Sequence, residues 1–172
     1  MKHLSGEYAL IKDFYGTKTA KRSGVPLINH IDEGIDLLRG MGAAELSIRA
    51  FCLHPLAQGG DDGWTIMLHN VRMKNIQQHS VALAQQYHYA AGIYLCRPAT
   101  DHFTMKDLAR EVGPLNQHLI HMLAADKLQN EKDFELYHKA THPRSKQLAH
   151  YFNLWLDYLD YCEEVLNKKR RA

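Results

Sequence analysis

The feature that most constrains this chain is the spacing of its apolar residues, which recur every three or four positions in each long segment. The clearest stripe follows Pro143 and consists of Leu148, Phe152, Trp155, Leu159, Cys162 and Leu166. This spacing places the residues on one face of an amphipathic α-helix. No segment alternates polar and apolar residues for long enough to require a β-strand. The sequence therefore predicts an all-α fold.

Helix start and stop signals divide the chain into about six or seven helices. Helical patterns are predicted over residues 27–38, 43–56, 66–95 and 104–111, in the segment after Leu115, and over about 143–168. The glycines and aspartates between Gln58 and Gly63 predict a loop. We expect residues 1–172 to form a single domain, with the last helix packed on it.

Composition narrows the class of protein. The chain has 172 residues, of which 45% are hydrophobic, and Lys plus Arg (21) nearly balance Asp plus Glu (19), which argues against a nucleic-acid partner. The three distant cysteines, Cys52, Cys96 and Cys162, offer no disulfide framework and favour a reducing compartment. No window reaches the ~20 apolar residues of a membrane span, and the N-terminus does not resemble a signal peptide. These features predict a cytoplasmic protein without a membrane partner.

Asp126 is the most informative single residue. It interrupts the apolar stripe of its helix, with Met122 upstream and Asn130 one turn downstream. A carboxylate in a protein core is costly unless it is paired or binds a metal. Pairing with a cation on a neighbouring helix is one explanation, and a role as a ligand is the other.

Two histidines on successive predicted helices extend this argument. His30 and His54 each lie among apolar residues, where a single histidine is usually hydrogen-bonded within the core. Together with Asp126 they supply two nitrogens and one oxygen, a set that can hold a divalent ion and leave coordination positions open. His138 and His142, four apart, have the spacing of a zinc-binding pair, but the glutamate of a His-Glu-x-x-His motif is missing.

Three segments resemble the RelA/SpoT-type HD domain. Residues 21–30, Lys-Arg-Ser-Gly-Val-Pro-Leu-Ile-Asn-His, are similar to the family's basic-x-Ser-Gly-x-Pro stretch before the first metal histidine. Residues 50–55, Ala-Phe-Cys-Leu-His-Pro, lie where the family has an apolar helix ending in His-Asp. Residues 124–130, Ala-Ala-Asp-Lys-Leu-Gln-Asn, resemble its late Ala-Asp-(Lys/Arg)-Leu-x-Asn motif. The resemblance covers about residues 8–138.

The resemblance implies an HD-type helical fold whose active members bind Mn²⁺ and hydrolyse the 3′-pyrophosphate of (p)ppGpp. It implies that His30, His54 and Asp126 bind the metal, with Mn²⁺ the expected ion. A nucleotide is the expected partner, held by Lys21, Arg22, Lys127, Asn130 and Arg144. Lys21 and Arg22 are equally well explained as a solvated pair in a loop, and Arg144 can pair with Asp133 instead of a phosphate.

The departures from the family pattern concern the catalytic carboxylates. Pro55 replaces the aspartate of the His-Asp pair, and no acid stands in register just after it. Gln58 can orient a water but cannot accept its proton, whereas Asp61 and Asp62 can act only if their loop folds back. A bound metal lowers the pKa of water enough for a hydrolase without a separate base.

Two functions remain open at this point. One is a metal-dependent phosphohydrolase acting on a phosphorylated nucleotide. The other is a metal-free pseudo-hydrolase that serves as a nucleotide-binding or protein-interaction module. The stripe from Leu148 to Leu166 can either cover the domain's core or pair with a second copy to form a homo-oligomer.

Overall fold

The computed structural model describes residues 5–21, 23–73, 75–93 and 103–171. The helices in these ranges are α1 (Gly6–Tyr15), α2 (Ile28–Gly40), α3 (Glu45–Gln58), α4 (Gly60–Met73), α5 (Gln78–Ala91), α6 (Met105–Val112), α7 (Gln117–Asp133) and α8 (Ser145–Arg171), with a π-helical turn at Phe134–His138. The described residues contain no β-strand, only an isolated bridge between Thr19 and Pro26. The predicted all-α fold is confirmed.

Helix α3 is the centre of the structure, because α1, α2, α4, α5 and α7 all pack against it. Such a helix must be apolar on every side, and four successive residues, Ala50, Phe51, Cys52 and Leu53, are completely buried. Helix α2 approaches α3 closely at Gly34, where an added Cβ would overlap the Phe51 ring. The C-terminal turn of α3 therefore carries its side chains into the interior.

Helix α8 packs against α7 and also against α6. The central residues of its apolar stripe, Phe152, Trp155 and Leu159, are buried. Leu148 and Leu166, near the two ends of the stripe, are half-buried. The stripe thus contributes to the core of the chain's own fold.

The prediction of a loop between Gln58 and Gly63 is wrong. Helix α3 continues to Gln58, and α4 begins at Gly60, with Asp61 and Asp62 in its first turn. Acidic residues are favourable there because the helix N-terminus carries partial positive charge. Gly63 permits the tight junction, since a Cβ at that position would overlap the Leu56 carbonyl oxygen.

The unbroken helix predicted over 66–95 is also wrong, and its predicted end at Leu95 lies outside the described residues. The chain breaks between α4 and α5, where Asn75 adopts a left-handed conformation (φ 54°). The fully buried Glu7 carboxylate accepts hydrogen bonds from the Gln77 N–H and the Ser80 hydroxyl, both at 2.9 Å. These bonds fix the start of α5 from a position far away in the sequence. The break and α1 together account for more helices than predicted.

Three smaller expectations concern the start of α6, the cysteines and membrane-spanning helices. Thr104 caps α6, and a reciprocal capping box with Asp107 fixes the predicted start. Cys52 and Cys162 are free thiols, whereas Cys96 lies outside the described residues. Within the described ranges, every helix is too short or too polar to cross a membrane.

Candidate metal centre

A pocket of about 480 Å³ opens beside the C-terminal turn of α3. Its volume is in the range of small-molecule binding sites. Its wall combines apolar residues from the segment 15–27, from α5 and from α8 with a polar face on α7. The polar and ionisable residues of the wall are Ser23, His30, His54, Gln58, Asp126, Lys127, Asn130, Asp133 and His138, together with the phenols of Tyr15, Tyr87 and Tyr151.

Three possible ligand atoms converge at this pocket. The Nε2 atoms of His30 and His54 lie 3.1 Å apart, and Asp126 Oδ1 lies 3.5 Å from the first and 3.9 Å from the second. A triangle with these sides has its centre about 2 Å from each corner, which is the bond length from a first-row divalent ion to nitrogen or oxygen. In the part of the chain that the structure describes, this is the one cluster with metal-ligand geometry.

Pro55 orients His54. Proline has no N–H, so Pro55 inside α3 leaves the Phe51 carbonyl without its α-helical partner. The His54 Nδ1–H donates to that carbonyl at 2.6 Å. The hydrogen on Nδ1 leaves the Nε2 lone pair directed at the pocket. Pro55 therefore sets the tautomer of His54.

Gln129 orients His30 in the same way. The Gln129 Nε2 amide donates to the carboxylates of Asp133 (2.8 Å) and Glu33 (3.4 Å), which can only accept. The amide oxygen must therefore face His30, whose Nδ1–H donates to it. His30 Nε2 is left as an acceptor, like His54 Nε2.

The two imidazoles thus direct lone pairs at each other across 3.1 Å. Burial, together with the neighbouring His30, lowers the pKa of His54 to about 3, so His54 is neutral near pH 7. Facing lone pairs repel unless a proton or a cation lies between them. This arrangement suits metal binding, which requires neutral imidazole.

The Asp126 carboxylate is buried and held on several sides. Lys127 Nζ donates to Oδ2 at 2.9 Å, and Asn130 Nδ2 donates to Oδ1 at 2.8 Å. Burial alone would raise the pKa of Asp126, but the charge of Lys127 beside it holds that pKa well below the ordinary value. Burial and the charge of this carboxylate raise the pKa of the buried Tyr87 phenol. The ligand is therefore ionised and fixed in place.

Lys127 is almost entirely buried, which is unusual for a lysine. Its Nζ lies 5.4 Å from the ring centroid of Tyr151 and 5.3 Å from that of Trp155. Burial would lower its pKa, but the Asp126 charge raises the pKa above the ordinary lysine value. Asp126 is thus paired with the next residue of its own helix, and not, as one explanation expected, with a cation on a neighbouring helix. Lys127 is directed at Asp126, and this pair is present alongside the ligand geometry.

The remaining predicted residues divide between the wall and the surface. Gln58 and Asn130 line the pocket, whereas Asp61 and Asp62 are exposed on α4 and do not line it. Lys21 is exposed beside the wall residues Ala20 and Ser23, and Arg22 lies outside the described residues. Arg144 is exposed, donates to the Gln147 side chain and does not line the pocket.

His138 and His142 belong to no group of three or more possible metal ligands among the described residues. The backbone N–H of Arg144 donates to His142 Nδ1 at 3.1 Å. His138 instead lines the pocket.

Sequence reasoning missed Gln129, Tyr87 and Tyr151. Gln129 occupies the variable position of the late motif, three residues after Asp126, so its location on the same helical face was a usable signal. The two tyrosines carried no such signal, because an aromatic residue in an apolar stripe is usually part of the core.

Comparison of the chain with protein-family models, with curated proteins and with solved structures returns no match.

Proposed function

We propose that the protein is a metal-dependent phosphohydrolase acting on a phosphorylated nucleotide, with (p)ppGpp-like compounds the first to test. The observation that carries this proposal is the convergence of His30 Nε2, His54 Nε2 and Asp126 Oδ1 at the pocket, at distances that a divalent ion can bridge. The three-motif resemblance to the RelA/SpoT-type HD domain supplies the substrate class.

The donor set supports a catalytic rather than a purely structural ion. Two imidazoles and one carboxylate leave coordination positions open, as in hydrolytic metal sites, whereas structural zinc sites are closed by four protein ligands. Mixed nitrogen and oxygen donors suit Mn²⁺, Fe²⁺ or Zn²⁺, and Mn²⁺ is the ion that the resemblance implies. The pocket has room for a nucleotide phosphate beside the cluster.

When bound, a divalent ion lowers the pKa of water and offsets the charge of a phosphate. The protein's own groups do the rest. The neutral imidazoles of His30 and His54 are held in the ligating tautomer by Gln129 and the Phe51 carbonyl. The Gln58 amide at the pocket wall orients the attacking water. Asp61 and Asp62 take no part in this account, because neither lines the pocket.

The buried ion pair of Lys127 with Asp126 favours a second candidate function. Lys127 already neutralises the carboxylate at 2.9 Å, so the site is electrostatically tolerable without a metal. A metal-free module that binds a nucleotide or another protein has the same fold and pocket. The two candidates differ in whether the protein hydrolyses a nucleotide at all, and in whether that hydrolysis needs Asp126.

The test is hydrolysis of a panel of compounds by protein supplied with Mn²⁺, with Asp126→Ala beside Asp61→Ala as the matched control. The panel contains ppGpp, guanosine 3′-phosphate and nucleoside triphosphates. We expect wild type and Asp61→Ala to turn over at least one compound, and Asp126→Ala to lose at least about 10²-fold in rate. No turnover by wild type, or equal turnover by Asp126→Ala, contradicts the proposal.

A further inference from the structure

The pocket residues of α7 and of the π turn that follows it have a regular helical spacing except at one step. Asp126, Asn130 and Asp133 lie at the four-then-three spacing of a single α-helical face. Continued as an α-helix, this face would next present Tyr137. The residue that lines the pocket is His138 instead.

The π turn at Phe134–His138 causes this shift. The backbone N–H of Lys139 donates to the Phe134 carbonyl at 2.8 Å, a bond that spans five residues rather than four. The turn therefore holds one more residue than an α-helical turn, and every later side chain moves on by one position. Tyr137 is directed outward, with 45% of its surface exposed, and His138 takes its place on the pocket face. Such turns are frequent at functional sites.

The His138 imidazole has its hydrogen-bonding capacity available. Among the residues that the structure describes, no side chain or backbone group hydrogen-bonds its ring, and its one ring contact is with Tyr137. His30 and His54, in contrast, each have Nδ1 engaged. An imidazole can donate a proton from a ring nitrogen, so a half-buried histidine in the pocket wall is placed to transfer a proton to a bound ligand.

We propose that His138 is the general acid of this site and protonates the leaving-group oxygen of the phosphate ester. The inference rests on the proposed function. Water oxygen forms a bond to phosphorus, and the bond from phosphorus to the leaving oxygen breaks, with its electron pair remaining on that oxygen. The proton of the His138 imidazolium moves to that oxygen, the attacking water releases its proton to solvent, and the imidazole is reprotonated from solvent.

The contribution of a general acid to the rate increases with the basicity of the leaving group. We would therefore measure kcat/KM with Mn²⁺ for p-nitrophenyl phosphate, phenyl phosphate and guanosine 3′-phosphate, whose leaving groups are increasingly basic. The variants are His138→Ala and His138→Gln, with Tyr137→Ala as the matched control on the outward face of the same turn. Circular dichroism checks that each variant is folded.

We expect both His138 variants to lose about 10²–10⁴-fold on guanosine 3′-phosphate and less than about tenfold on p-nitrophenyl phosphate. Tyr137→Ala keeps the wild-type ratio. An equal loss of kcat/KM on all three esters would show that His138 contacts the phosphate without protonating the leaving group. No loss would show that His138 takes no part in the reaction. Either result overturns this inference while leaving the proposed function in place. A wild type that is inactive on every ester, and also on ppGpp and the nucleoside triphosphates, overturns both.

Discussion

Replacement of Lys127 by methionine distinguishes two interpretations of the cluster around Asp126, namely a metal site and an ion pair that needs no metal. Methionine retains much of the side-chain volume beneath Tyr151 and Trp155 but removes the charge that lies 2.9 Å from Asp126 Oδ2. Breaking a buried pair by removing one partner costs about 3–5 kcal/mol, because the other charge stays buried. We expect the free energy of unfolding of chelator-treated Lys127→Met to fall by about that amount.

A bound cation should reverse part of this loss. A lysine charge roughly 6 Å from an ion disfavours it by about 3 kcal/mol per unit charge at an effective dielectric constant of about 20. Removal of Lys127 should therefore tighten Mn²⁺ binding by at least about tenfold, which adds about 1.4 kcal/mol to the stabilisation by saturating metal.

The assays are urea denaturation with and without Mn²⁺, and calorimetric titration of Mn²⁺ into the chelator-treated protein. Lys132→Met is the matched control, because Lys132 lies on the same helix but pairs with Glu33 and Asp133 at the surface. Its loss should cost less than about 1 kcal/mol. If Lys127→Met is destabilised equally with and without Mn²⁺, and its affinity for Mn²⁺ is unchanged, the reasoning is refuted.

Two further predictions concern His54. Pro55→Ala restores a backbone N–H that competes with His54 for the Phe51 carbonyl. We therefore expect the affinity for Mn²⁺ to fall about 10–100-fold, while the free energy of unfolding is unchanged or higher. An unchanged affinity in calorimetry would show that Pro55 does not set the tautomer of His54. Burial lowers the pKa of His54 from 6.5 to about 3, so between these values the unfolded chain binds a proton that the native protein does not, and stability falls as the pH is lowered. For metal-free protein, the free energy of unfolding should fall between pH 7 and pH 5 by up to about 1.4 kcal/mol per pH unit. This dependence on pH should be weaker in His54→Gln, and an equal dependence in that variant would contradict the prediction.

The sequence was sufficient to predict which three side chains form a possible metal-binding cluster but not what orients them. His30, His54 and Asp126 stand out because polar residues interrupt apolar stripes, and the cost of burial makes that pattern informative. The roles of Pro55 and Gln129 depend on which carbonyl or amide oxygen faces each imidazole, and residue identity does not specify this.

The errors in the predicted helices have a similar origin. The start of α5 depends on Glu7, which lies 70 residues away from Gln77 in sequence, so no local pattern marks the break. The π turn has no characteristic composition, and one inserted residue decides whether Tyr137 or His138 faces the pocket. Local periodicity predicted the helices well, whereas long-range hydrogen bonds and changes of helical register determined how they end.

The central claim is that His30, His54 and Asp126 bind one divalent ion, and the most direct measurement is a crystal structure of Mn²⁺-soaked protein with anomalous data at the manganese edge. We predict a single strong peak about 2 Å from His30 Nε2, His54 Nε2 and Asp126 Oδ1. A structure in which these atoms keep their spacing, with Lys127 on Asp126 and no anomalous peak between them, would contradict the account.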